Sequence, residues 1–297
     1  MRYFIQLRRI AVFSAGLFSF VLFSSAVFSA ERVVSIDGSL TEIIYALNAQ
    51  DALVAVDTTS RYPQAATELP DVGYMRQLSA EGILALSPTL VLASTDAGPD
   101  SVFEQLQQAG VKIVRVRNHY SVDGVLNKIQ AVADALNKPE AGRALAGSIK
   151  QQADAALASI PADAAAPAAL FILGAGNRGL MAAGSKTQAD AMLALLNARN
   201  VMAYNGYKPV SAEAVLQAGP EVVLIANTEA AADTSQAQSA ALNTQLAMTP
   251  AFRQQRIHTL DTSLALGFGP RIGNALEQLV TLLYPSEMQT LSSAEQP

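Results

Sequence analysis

Ser79-Ala-Glu-Gly-Ile-Leu-Ala-Leu-Ser-Pro-Thr-Leu-Val-Leu92 aligns without gaps on Ser211-Ala-Glu-Ala-Val-Leu-Gln-Ala-Gly-Pro-Glu-Val-Val-Leu224, with seven of fourteen positions identical. Each copy reads as a short helix stopped at Pro88 or Pro220 and followed by a strand. Each is also preceded by a Gly-Tyr pair, Gly73-Tyr74 and Gly206-Tyr207. Two helix–proline–strand units share some composition by necessity. The common Ser-Ala-Glu and Gly-Tyr are required by neither element, so the match points to a duplicated lobe.

The rhythm continues outward from both copies. Before the first, residues 32–36 read as a strand, a helix opens near Ser39 with Ile43, Ile44 and Leu47 on one face, and residues 52–56 form a second strand. After it come a helix over 101–109, closed by Gly110, and a strand over 111–116. In the second half, strands are expected at 169–173, 222–226 and 257–260, with helices around 189–197, 212–218 and 272–283. Such alternation predicts parallel sheets covered by helices. Between the halves, residues 122–160 are helical except at Asn137-Lys138-Pro139, where Pro139 suits the first turn of a new helix. That helix would be roughly 30 Å long at 1.5 Å per residue. The expected fold is α/β: two Rossmann-like lobes with mostly parallel sheets, each with its own core. Residues 31–120 and 165–297 form the lobes, the latter with a short tail. A connector over 121–164 joins them, and its long helix acts as a rigid tie permitting only a small hinge closure.

Residues 1–30 are of another kind. Arg2, Arg8 and Arg9 form a basic head, an apolar run follows from Ile10, and small residues close the stretch. This is the layout of a secretory signal peptide, with cleavage after Ala26 or Ala30. The run to Phe28 would also just suffice for a membrane anchor. The 297 residues include no cysteine, which excludes disulfides, thiolate metal sites, cysteine nucleophiles and a lipid-bearing cysteine. A soluble periplasmic protein is the expected product. With 51% apolar and 15% charged residues the chain reads as globular, and a net charge of −5 gives no reason to expect nucleic acid.

Four segments carry a family resemblance: Pro70-Asp-Val-Gly-Tyr-Met-Arg-Gln-Leu-Ser-Ala-Glu81, Met181-Ala-Ala-Gly184, Gly206-Tyr-Lys-Pro209 and Leu266-Gly-Phe-Gly-Pro-Arg271. The chain resembles the periplasmic binding proteins of ABC importers whose two lobes are joined by a rigid helix. That group carries haem, cobalamin and siderophores, and the haem-binding branch is the nearest match. The resemblance implies capture of haem between the lobes and delivery to a permease dimer in the inner membrane, in the service of iron acquisition. An outer-membrane haem receptor system would stand upstream. Cobalamin or a ferric siderophore is the alternative cargo. By matching position, Tyr74 becomes the axial ligand of ferric haem iron and Arg76 the cation beside its phenolate. Glu81 and Glu213 become the docking carboxylates, one for each half of the permease.

The residues support this chemistry independently. Ferric iron is a hard cation that a tyrosine oxygen can hold. A phenol ordinarily titrating near pH 10 needs the iron and a nearby positive charge to stay ionised. An arginine two residues on in an extended loop lies on the same side of the chain. Read without the family, the same pair is an ordinary loop tyrosine beside a surface arginine. Tyr207, the repeat partner of Tyr74, should lie on the opposite wall and pack on the porphyrin or approach its distal face. Arg178, Lys208 and Arg271 are candidates for the haem propionates, since arginine forks suit carboxylates. The alternative for each is a solvated surface charge. Phe268 is a candidate contact for the macrocycle. His119 and His258 match no second-ligand position, so five-coordinate iron is expected.

Gly174-Ala-Gly-Asn-Arg-Gly179 fits the GxGxxG pattern after a strand and keeps an exported dinucleotide-binding enzyme as a remote alternative. The acidic residue that should follow about 20 positions on is missing, with Asn197-Ala-Arg-Asn200 in its place. HExxH, GxSxG and Walker motifs are absent from the sequence.

Overall fold

The computed structural model describes residues 31–176, 179–227 and 246–285. The stretch read as a signal peptide lies outside them. The first half runs β1 (Val33–Ile36), α1 (Gly38–Ala46), β2 (Leu53–Val56), α2 (Ala80–Leu84), β3 (Leu90–Ser94), α3 (Asp100–Gln108) and β4 (Lys112–Val116). Its four strands are all parallel in the order β2-β1-β3-β4. Helices cover both faces, so β1 and β3 are buried at every position and are correspondingly apolar.

The connector is a helical pair, α4 (Val122–Ala135) and α5 (Pro139–Ala158). Asn137 takes a left-handed φ of 57° between them, and Pro139 opens α5 as its missing N–H allows. Glycine lets this layer pack closely. A Cβ on Gly142 of α5 would stand 2.4 Å from Ala133 Cβ of α4.

The second half runs β5 (Ala168–Gly176), β6 (Gly179–Ala183), α6 (Gln188–Leu195), β7 (Arg199–Asn200), β8 (Tyr207–Val210), α7 (Ala212–Ala218) and β9 (Val222–Asn227). It continues with α8 (Pro250–Arg253), β10 (Ile257–Asp261), α9 (Thr262–Leu266) and α10 (Ile272–Leu283). The strand order is β10-β9-β5-β6-β8, with β7 also on β5. β7, β9 and β10 are parallel partners, whereas β6 and β8 are antiparallel. The second sheet is therefore mostly parallel, with β6 as its one reversed strand among the described residues. The cause is local: pairing of Gly176 with Gly179 returns the chain beside β5, leaving no length for a crossover helix. The glycine pattern thus leads into a hairpin strand, not the helix that a dinucleotide fingerprint requires.

Each sheet has a core of its own on one face, around Ile83, Phe103 and Leu106 in the first and Leu170, Val215 and Leu246 in the second. The other faces share a single core. It runs from Val33 and Leu92 through Ile129 and Val132 of α4 and Ile149 and Ala153 of α5 to Phe171, Leu224, Leu276 and Leu279. Two lobes are present, but they are fused through the connector.

Candidate functional site

In open α/β sheets, ligands meet the carboxyl ends of the strands. All four strands of the first sheet deliver polar groups there. Asp37 follows β1, Asp57 follows β2, Asp96 follows β3 and Asn118 follows β4. Asp57 is buried and accepts from the backbone N–H of Asp37 and Thr59 and from the Thr59 and Ser60 hydroxyls. Burial raises its pKa against those bonds. Asp37 caps α1 at a φ of 119°, a left-handed conformation that is rare outside glycine and clusters at functional sites. Asn118 Nδ2 lies 3.2 Å from Asp37 Oδ2, 2.8 Å from Ser94 Oγ and 2.9 Å from Asp96 Oδ2. The Tyr120 hydroxyl donates to Asp96 over 3.4 Å. Burial first, then Asp96, pushes the Tyr120 pKa up to about 12.

Tyr74 stands on the rim of this sheet end. Its segment is stapled to β2 by Val72 N–H to Val56 C=O and Thr58 N–H to Gly73 C=O. It is stapled to the loop after β3 by Gly98 N–H to Met75 C=O. Met75 is buried as the anchor, while Tyr74, 41% exposed, and Arg76 flank it on the solvent side. Among the described residues neither the Tyr74 hydroxyl nor the Arg76 guanidinium has a polar partner. A rigid loop thus presents an uncommitted phenol and an uncommitted cation two residues apart.

The repeat extends to conformation. Gly73 and Gly206 both take left-handed φ values, 93° and 79°, which glycine adopts without strain. Glu81 and Glu213 are exposed in the first turns of α2 and α7, where Ser79 and Ser211 cap by accepting from Gly82 N–H and Ala214 N–H. The tyrosines differ. Tyr207 is half-buried on β8, donates to Gln188 Oε1 over 3.2 Å and approaches Tyr120 closely enough to add to that group's raised pKa. Burial raises the Tyr207 pKa as well. Lys208 is exposed, with its ammonium 5.2 Å from the Tyr204 ring centroid.

Two expectations change. Phe268 is buried and packs on Tyr120 with ring centroids 5.3 Å apart, so it offers no face to a macrocycle. Arg271 is committed elsewhere: Nε donates to Glu42 Oε2 at 2.8 Å, and Nη2 to Glu42 Oε1 at 2.6 Å and Ser263 Oγ at 2.9 Å. Its guanidinium also lies 3.8 Å from the Tyr62 ring centroid. Both residues belong to the junction between the halves, where Lys128 of α4 is buried too. Arg178 lies outside the described residues. His119 is exposed at the end of the first half, and His258 lies within β10, its pKa lowered by burial and by Arg256.

Sequence reasoning overlooked Asp37, Asp96, Asn118, Tyr120, Glu42 and Lys128. A signal for the first three was available: each falls within two residues of a strand's carboxyl end. Glu42 and Lys128 had none, because both read as polar positions on amphipathic helices.

Two α/β lobes fused through a helical layer, with polar groups gathered at the strand ends, have the architecture of a solute-binding protein. The comparison with known proteins agrees, and the chain belongs to the periplasmic binding protein family, which matches residues 33–264. Among solved structures, the heme-binding protein RhuT from Roseiflexus sp. RS-1 in apo form is 37% identical with a TM-score of 0.80, over 87% of this chain and 99% of that one. The heme-binding protein BhuT in complex with two hemes is 39% identical with a TM-score of 0.76, over 86% and 99%. A vitamin B12-binding protein of Yersinia pestis is 28% identical over 207 residues, 69% of this chain and 72% of its own.

Proposed function

We propose that this protein captures haem in the periplasm and hands it to the permease of an ABC importer, with Tyr74 as the axial ligand of ferric iron. The observation that carries the reading is the pinned loop at the carboxyl end of a parallel sheet, which holds an exposed phenol and Arg76 with no polar partner for either among the described residues. Arg76 supplies the positive charge that favours phenolate. Lys208 remains available for a propionate, and Tyr207 for the far side of the ligand. The heme-binding proteins named above, each matched over nearly its full length, support haem over cobalamin. Residues 31–120 and 165–297 are the two lobes in this reading, and Glu81 and Glu213 their contacts with two like permease halves. Haem would arrive from an outer-membrane receptor system.

Titration of the purified protein with haem tests the cargo. The expected product is high-spin ferric haem with a phenolate-to-iron charge-transfer band, lost together with tight binding in Tyr74→Ala. Binding by Tyr74→Ala with unchanged spectrum and affinity would remove Tyr74 as the ligand. A protein that ignores haem and takes up cobalamin would redirect the cargo and leave the fold untouched.

A further inference from the structure

Lys128 heads the largest fully buried side chains among the described residues. Burying an ammonium is expensive, and a helix that needed only packing here would be served by methionine or leucine. Among the described residues no carboxylate lies within ion-pairing distance of Lys128, so no direct salt bridge there meets the cost. Its Nζ instead donates to Ser39 Oγ at 2.8 Å and to the Phe268 carbonyl at 3.1 Å. Ser39 opens α1 of the first lobe, whereas Phe268 lies in the second, in the loop between α9 and α10. Burial lowers the Lys128 pKa, and the charges of Asp37, Asp96 and Glu42 oppose that shift only in part. Phe268 takes a left-handed φ of 45°, which is strained for a bulky side chain and needs fixing by its surroundings. Three residues further on, Arg271 grips Glu42 of α1. The loop 267–271 is therefore tied to α1 twice, once by its own arginine and once through a lysine of the connector.

We propose that Lys128 is a positioning residue: by bridging Ser39 and the Phe268 carbonyl it fixes the resting angle between the lobes, and with it the width of the ligand cleft. Only the statement about the cleft rests on the haem reading. The angle can be measured without ligand. Because the chain has no cysteine, Gln107→Cys on α3 and Gln217→Cys on α7, both exposed, give two unique spin-label sites, one per lobe. Pulsed dipolar spectroscopy of the ligand-free protein should return one narrow distance. With Lys128→Met the distribution should broaden or shift while the protein stays folded by circular dichroism. A folded Lys128→Met protein with the original narrow distance overturns the proposal, even if its melting temperature falls, because lysine then only packs. Should Lys128→Met fail to fold, Ser39→Ala decides. It removes one acceptor and leaves the Arg271–Glu42 pair intact, so a broadened distance supports the bridge and an unchanged one refutes it. In haem-loaded protein, Lys128→Met should release haem about tenfold faster with the charge-transfer band retained. A normal release rate beside a broadened distance would refute the cleft-width half of the proposal alone.

Discussion

Replacing Arg271 by methionine should be among the costliest single substitutions in this protein. Glu42 is 6% exposed and Arg271 22%, and the guanidinium provides both of the arginine's hydrogen bonds to that carboxylate. Removing one partner of a buried pair leaves an uncompensated charge, at a cost of about 3–5 kcal/mol. For a domain of this size that is a melting temperature lower by roughly 6–20 °C. Glu42→Met combined with Arg271→Met should be far milder, since apolar isosteres avoid the desolvation of both ions. The deficit must also depend on pH. Burial raises the Glu42 pKa above its ordinary 4.5, and Arg271 pulls it back only in part. Without the arginine the folded-state value climbs further. A carboxyl whose folded pKa is raised contributes stability that is complete below the unfolded value and is lost as pH rises through the folded one. Scanning calorimetry should therefore find a smaller deficit for Arg271→Met near about pH 5 than near about pH 8. A drop below about 3 °C, or the same deficit at both pH values, would refute this account of the pair.

Two further outcomes are expected. Reversing charge with Glu81→Arg or Glu213→Arg should leave haem affinity intact, because both carboxylates are exposed on the first turns of helices, and should cripple haem uptake by the reconstituted importer in a salt-dependent way; normal uptake by the double variant would take them out of the interface. Tyr120, with its pKa raised from 10 to about 12, adds stability below pH 10 that is lost as pH climbs towards 12. Tyr120→Phe should delete the last step of the tyrosinate absorbance titration and flatten that alkaline loss, and an unaltered titration would contradict its burial beside Asp96.

What could be read from the sequence was what short-range physics decides. The repeated helix–proline–strand segments reappear as α2 with β3 and α7 with β9, since an apolar run stopped by proline has little choice. Ile272–Leu283 forms the expected closing helix because its apolar stripe is long and regular. The antiparallel pairing of β8 with β6 was not legible. Tyr207-Lys-Pro-Val210 is short and half polar, and becomes a strand only because Met181 and its neighbours lie alongside. Phe268 and Arg271 misled for a related reason. A phenylalanine and an arginine in a glycine-rich loop look available to a ligand, yet the partner of Arg271 stands 229 positions away along the chain. Lys128 carries no mark in the sequence, because its burial depends on the second lobe, whose Phe268 carbonyl accepts from it. Tyr74 and Arg76 are exposed on either side of Met75, whose burial anchors the turn that carries them.

The core shared by both sheets also governs when the protein can become itself. Its first members, Val33 and Leu40, lie near the start of the folded region, and its last, Leu283 and Tyr284, at the close of α10. A chain made and passed across a membrane from its N-terminus can pair β1 to β4 early, for those contacts are local. The flank of α5 stays uncovered until α10 emerges. Contacts that join the two ends of a chain form late and slowly. During that wait the exposed apolar surface must be kept from association with other chains. Fusing two lobes into one body thus lengthens the vulnerable interval between synthesis and the finished carrier.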